Sequence, residues 1–464
     1  MIKRAILALA LSLPIFAQAQ TATQVWRFQH DNAATGQSSE ISAFDEQRGE
    51  LWVVGGTGIQ ILGWNGSEVV ASTPFTCPNV GTPNSIAIRA GLVAAAFNAT
   101  AGQIDGWVCL FDAKTRTLIS TLQVGATPDM VAFTPNGQRL LVVNEGERSL
   151  PAGPSQIDPP GSVTIVHLQK KTATVEATIG FPSSVPGIRV APGKTATLDV
   201  EPEYLAISNN SKTAWVTLQE NNAIAELDLE TAEIVRITSL GTKSYNSAAN
   251  AIDPLDGDGV GPLRPVPVRS LYQPDAIADY QGPDGQVYLV MANEGDARND
   301  DSDVARAGSL FPDVLPTELR RLNVSRLDST ATDLVGFGAR SFSIRDANGE
   351  LVWDSGKLLD QEAIDRGVYA DSRSDDKGVE PEGVALARIG ERTIAFIGME
   401  RTISSAVALF DITDPREVFF LDFIVGLNDV SPEGLTTFER DGKQYLAVAH
   451  EVSHSTTLYE ISQY

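Results

Sequence analysis

After its first 20 residues the chain carries no long apolar run. Hydrophobic positions come in short bursts that alternate with polar ones and end in Gly, Asn, Asp or Pro. That is the pattern of many small strands joined by tight turns. One pair of bursts recurs. "TPDMVAFTPNGQRLLVVNEGE" begins at Thr127 and "EPEYLAISNNSKTAWVTLQEN" at Glu201. Each reads Pro, acid, any residue, aliphatic, Ala, then a turn, an apolar strand, a polar residue and Glu. Much the same register returns in "QPDAIADYQGPDGQVYLVMANEGD", "EPEGVALARIGERTIAFIGMER" and "SPEGLTTFERDGKQYLAVAHEV". "TPNSIAIRAGLVAAAFNAT" keeps it with Asn84 for the acid, and "ISAFDEQRGELWVVGGTG", from Ile41, is a degenerate copy without the Pro.

A third apolar strand is expected after each pair, over residues 59–64, 107–112, 162–168, 223–229, 341–347, 405–412 and 455–461. Most copies leave room for a fourth. Units of this kind cannot bury both faces alone and must be covered by their neighbours. The predicted fold is therefore all-β: a seven-bladed β-propeller of four-stranded blades. The last copy runs out of chain after its third strand, and "TQVWRFQH" near the N-terminus is expected to supply the missing strand and close the ring. Extra chain at 146–161, 169–200, 237–272, 295–336 and 346–379 reads as long loop insertions in blades 3–5, so residues 20–464 form one propeller domain.

The opening "MIKRAILALALSLPIFAQAQ" has a basic start at Lys3 and Arg4, a short apolar stretch and an A-x-A site. It reads as a signal peptide over residues 1–19, cleaved after Ala19, and is too short to span a bilayer. Export to the periplasm or beyond is expected, without membrane insertion. Removing the leader leaves 33 basic side chains against 59 acidic ones, a balance of −26. That charge excludes nucleic acid as a partner and favours cations. Cys77 and Cys109 can pair in an oxidising compartment or lie apart as buried thiols. A monomer is expected.

Propeller geometry gives the acids a destination. The first strand of a blade lies nearest the axis and the second returns antiparallel beside it. The start of one and the end of the other then share a face. Asp129, Glu203, Asp275, Glu382 and Glu433 mark the first position, and Glu145, Glu220, Glu294, Glu400 and Glu451 the second. Ten carboxylates are expected around one mouth of the central channel. Such a cluster must bind cations, keep protons or recruit arginine. Oxygen ligands in this number suit Ca2+ best, with Mg2+ and Mn2+ as alternatives. Arg148, Arg298 and Arg401, each soon after one of these glutamates, are candidates to offset the charge or to contact phosphate. The competing reading is that each Pro-acid or Asn-Glu pair only caps a turn.

"DPLDGDG", from Asp253, lacks the distal Glu of an EF-hand loop. "HEVSH", from His450, matches the metalloprotease H-E-x-x-H, but that chemistry needs one helical turn. Here the neighbouring residues read as strands, which would set the histidines about 13 Å apart. No nucleophile elbow, P-loop or dinucleotide fingerprint is present.

"VVNEGE", "VMANEGDAR", "GFGARSFSI", "GELVWDSG", "SDDKGVEPEGV" and "VSPEGL" together resemble the choice-of-anchor I family, over nearly the whole chain after the leader. The resemblance implies a secreted bacterial β-propeller. Its relatives include a mesenchyme-specific cell-surface glycoprotein and proteins described as alkaline phosphatases. Unlike the anchored members, this chain shows no C-terminal sorting segment. Two functions are open at this point. One is a binding or scaffold protein with a Ca-loaded acidic mouth. The other is a metal-dependent phosphoesterase, alkaline-phosphatase-like or phytase-like, using the same carboxylates.

Overall fold

The computed structural model describes residues 21–149, 156–170, 172–298 and 302–462. The expected signal peptide lies outside them. Within them are seven four-stranded antiparallel sheets, each a meander in chain order except the last. The third sheet shows the pattern: Pro128–Phe133, Arg139–Asn144, Ser162–Gln169 and Thr172–Gly180. Its second strand is buried almost throughout and its fourth is largely exposed, so hydrophobicity falls from the centre outward. The seventh sheet takes Pro432–Arg440, Lys443–His450 and Ser455–Ser462 from the C-terminal end, and Thr21–Gln29 pairs antiparallel along Ser455–Ser462 as its outer strand.

Each sheet packs on the next. The Cys77–Cys109 disulfide and a shared apolar cluster join the first two. Ser85 Oγ accepts from the Val131 amide between the second and third. Val143 and Val163 of the third sheet pack in one cluster with Leu205 and Val216 of the fourth. Trp215 Nε1 donates to the Ala347 carbonyl between the fourth and fifth at 3.1 Å. Phe342 of the fifth meets Phe410 of the sixth at 4.6 Å. Thr437 Oγ1 donates to Leu386 O between the sixth and seventh. The seventh meets the first through Phe438 stacked on Phe44 at 3.7 Å and through Thr436 Oγ1 donating to Ser42 O.

The insertions are more than loops. Segments from 237–272 and 295–336 build a three-stranded sheet (Thr242–Ser244, Val268–Leu271, Leu334–Gly336) and a two-stranded one (Val304–Arg306, Asn323–Ser325). These surround a core of their own that includes Tyr245, Ile252, Leu319 and Leu322. The helix Leu358–Asp365, inside the 346–379 insertion, buries Leu359 and Ala363 against the fifth and sixth sheets. No helix among the described residues is long and apolar enough to cross a membrane.

Candidate functional site

The repeat motif has a backbone explanation. In the sheets beginning at Pro83, Pro128, Pro202, Pro381 and Pro432, strand register slips immediately after the proline. The slipped position holds Asn84, Asp129, Glu203, Glu382 or Glu433. A bulge takes its extra residue out of the ladder and re-aims it. Thr127, Gln273, Glu380 and Ser431, each just before a motif proline, adopt left-handed backbone with φ of 44–56°. Such conformations cost non-glycine residues energy and recur at functional positions. The carbonyl of this same residue accepts from the glutamate that ends the second strand: Glu145 to Thr127 (2.9 Å), Glu400 to Glu380 (2.9 Å) and Glu451 to Ser431 (3.0 Å). In the fifth sheet Gly295 makes the equivalent bond to Gln273. One hydrogen bond thus sets the two acids of a copy side by side.

Glycine makes the close approach possible. A Cβ on Gly383 would stand 2.6 Å from Glu433 O, and one on Gly434 would stand 2.3 Å from Glu40 O. The first strands therefore pack backbone to backbone where the acids emerge.

All ten predicted carboxylates line one cavity of about 520 Å3. Glu40, Glu147, Glu201 and Asp296 line it too, with Asn84, Tyr204, Gln219 and, among the described residues, a single cationic one, Arg401. Glu40 has a legible signal of its own, without a Pro-acid pair. Glu40-Ile-Ser-Ala-Phe aligns with Asp129-Met-Val-Ala-Phe, so the degenerate copy keeps its acid and loses only the proline.

The other two arginines act on the acids from outside the cavity lining. Arg298 is fully buried and bonds Asp199 through Nε at 2.8 Å and Asp303 through Nη1 at 3.2 Å. Arg148 reaches the same Asp199 at 3.2 Å and stands 3.7 Å from Glu201. Neither lines the acidic cavity; both serve a buried ionic network behind it. A cation not foreseen from sequence is Lys377. Its ammonium lies 3.0 Å from Glu380 and 3.3 Å from Glu294.

Crowding and burial raise the proton affinity of the cluster. Burial, then the charges of Glu40 and Glu147, push Asp129 up to about 7. Glu400 rises to about 8 through burial and Glu294, against the pull of Arg401. Glu201 reaches about 7 by burial, opposed by Arg148 and Arg298. Burial and neighbouring carboxylates hold Glu145, Glu203, Glu220, Asp275, Glu382 and Glu433 well above the usual carboxylate range. Glu220 is 4% exposed, and its Oε2 has no hydrogen-bond partner among the described residues. Two groups bring one oxygen from each member within 4.8 Å of the others: Asp275, Glu294 and Glu382, and Glu294, Glu380 and Glu400. An all-oxygen set of this kind fits a hard divalent cation.

His450 is buried beside Asp429, 3.6 Å away, and burial lowers it to about 4. Residues 451–454 form a turn, not a helix. The H-E-x-x-H pattern therefore lacks the helical turn that metalloprotease chemistry requires.

Four-stranded antiparallel sheets packed in sequence around an acidic cavity define a propeller-like all-β protein. The chain belongs to the choice-of-anchor I domain family, whose model matches residues 40–415. Among solved structures, a hydrazine synthase chain of Kuenenia stuttgartiensis covers 94% of this chain and 98% of itself, with a TM-score of 0.52 and 11% identity. That likeness is one of fold. Gigasin-3a of Magallana gigas is 31% identical over 100 residues, which is 18% of this chain. The match spans about a third (35%) of that relative's length.

Proposed function

We propose that the protein is an exported seven-bladed β-propeller, its ring closed by Thr21–Gln29, that binds a partner or ligand through a Ca2+-loaded acidic mouth. The observation that carries this reading is that, among the described residues, fourteen carboxylates line one cavity with Arg401 as the one lining cation. Charge at this density, offset only in part by Arg401, Lys377 and Arg148, calls for bound cations or protons. Glu220, buried with an unpartnered oxygen, supports the first. The leader sequence and the disulfide support export.

A rim feature favours binding over catalysis. Ile403, Leu427 and Val452 are 60%, 81% and 53% exposed. They sit on loops tied together by Ser405 N to Asp429 O and Val430 N to Ser453 Oγ. These loops lead out of Glu400, toward Glu433 and out of Glu451. Exposed apolar side chains thus stand within six residues of cavity-lining acids along the chain, which suits a partner that offers both oxygen ligands and apolar groups. The phosphoesterase reading retains Arg401 alone of its three arginines at the cavity.

Calorimetric titration of chelator-stripped protein tests the proposal. Ca2+ should bind, and Glu294→Gln should weaken binding at least tenfold. No measurable uptake of Ca2+, Mg2+ or Mn2+ would overturn it. Turnover of p-nitrophenyl phosphate with Ca2+, lost in the same variant, would instead establish the esterase.

A further inference from the structure

The two carboxylate groups share Glu294 but differ in what already sits on them. Each member of Glu294, Glu380 and Glu400 has a basic partner. Lys377 Nζ stands 3.3 Å from Glu294 Oε1 and 3.0 Å from Glu380 Oε2, with Asp296 at 3.8 Å, and it donates to the Gly295 carbonyl. Arg373 Nε holds the other Glu380 oxygen at 2.6 Å, and Arg401 holds Glu400 at 2.7 Å. Asp275 and Glu382 differ: among the described residues neither forms an ion pair, and Glu382 Oε2 has no hydrogen-bond partner. The second oxygen of Glu294 accepts from Gln219, a neutral donor, at 2.9 Å.

Lys377 is also held in place independently of the cavity. Buried Arg340 donates to the carbonyls of Ser374 and Asp376 at 2.6 and 2.7 Å. The chain then turns at Gly378, φ +67°, where a Cβ would stand 2.8 Å from Asp360. The ammonium is delivered by a braced segment, as a tethered ion would be.

We propose that Lys377 is the resident cation of the Glu294, Glu380 and Glu400 group, so that a divalent ion enters only at Asp275, Glu294 and Glu382. This rests on the cation-binding reading above and adds which ligands are free. A divalent ion on Glu380 would face the ammonium and the Arg373 guanidinium at contact distance, and repulsion between them excludes it. Lys377 thereby sets how many ions the mouth takes.

The test is Ca2+ titration of the full mature chain. Glu382→Gln should raise the dissociation constant at least tenfold, whereas Glu380→Gln should change it less than threefold. Lys377→Met should bind one more Ca2+ per chain than wild type, and Lys377→Arg should not. Equal losses in Glu380→Gln and Glu382→Gln would overturn the assignment even if Lys377→Met fails to fold. So would unchanged stoichiometry in a folded Lys377→Met. Absence of Ca2+ binding by wild type would instead remove the parent reading, and this one with it.

Discussion

A carboxyl that stays protonated in the folded state carries a pH signature with a fixed sign. Asp129, Glu201 and Glu400 rise to about 7, 7 and 8. A group whose folded value exceeds its unfolded one stabilises fully below the unfolded value, and that contribution disappears as pH rises through the folded one. For these acids the window runs from about pH 4 to about pH 8. Chelator-treated protein should therefore melt at lower temperature near pH 8 than near pH 5, by differential scanning calorimetry. Added Ca2+ should narrow the gap, because an ion bound only by the folded state stabilises it by mass action. A melting temperature in chelator that is flat or rising across that window would contradict the charge crowding described for the cavity. Arg298 shows the other residue-scale lesson. Its place near Glu294 in sequence suggested the mouth, but Asp199, 99 residues away, claims it.

At the scale of the element, the motif is a device for turning a strand's first residue inward. Proline cannot donate to the ladder, and in the copies at Pro128, Pro381 and Pro432 the residue before it is left-handed and the register slips at the acid. The glycine after the acid, where present, lets the next first strand approach. Gly434→Ala should therefore destabilise the protein by at least about 1–3 kcal/mol in chemical denaturation, since the added methyl meets the Glu40 carbonyl. Wild-type stability in that variant would mean the strands separate easily at the cavity. Much of this was legible beforehand. The Pro-acid and strand-end Glu positions include ten residues that line the cavity. Glu40 lacks the proline that marks the other first-strand acids. Glu201 and Glu380 escaped because the residue before a proline has no pattern that says which way it points.

At the scale of the molecule, Thr21–Gln29 matters because it joins the two ends of the chain. It covers the edge of Ser455–Ser462, and Trp26 is buried in the cluster that unites the first and seventh sheets. A mature chain lacking residues 21–29 should expose a strand edge and self-associate. Size-exclusion chromatography would detect this, and a monodisperse variant with wild-type melting would show that the strand is dispensable.

Sequence alone determined the all-β class, the recurrence of short antiparallel strands and the identity of most acids facing the cavity. Those properties repeat along the chain, so each copy testifies for the others. Tertiary structure alone decided which charges meet. Lys377 faces Glu294 across 83 residues, and Arg148 and Arg298 converge on Asp199. These contacts occur once, between insertions that share no pattern, so no periodicity announces them. Only the packing of the insertions against the sheets leaves Asp275 and Glu382 without a basic partner among the described residues and gives Glu380 two.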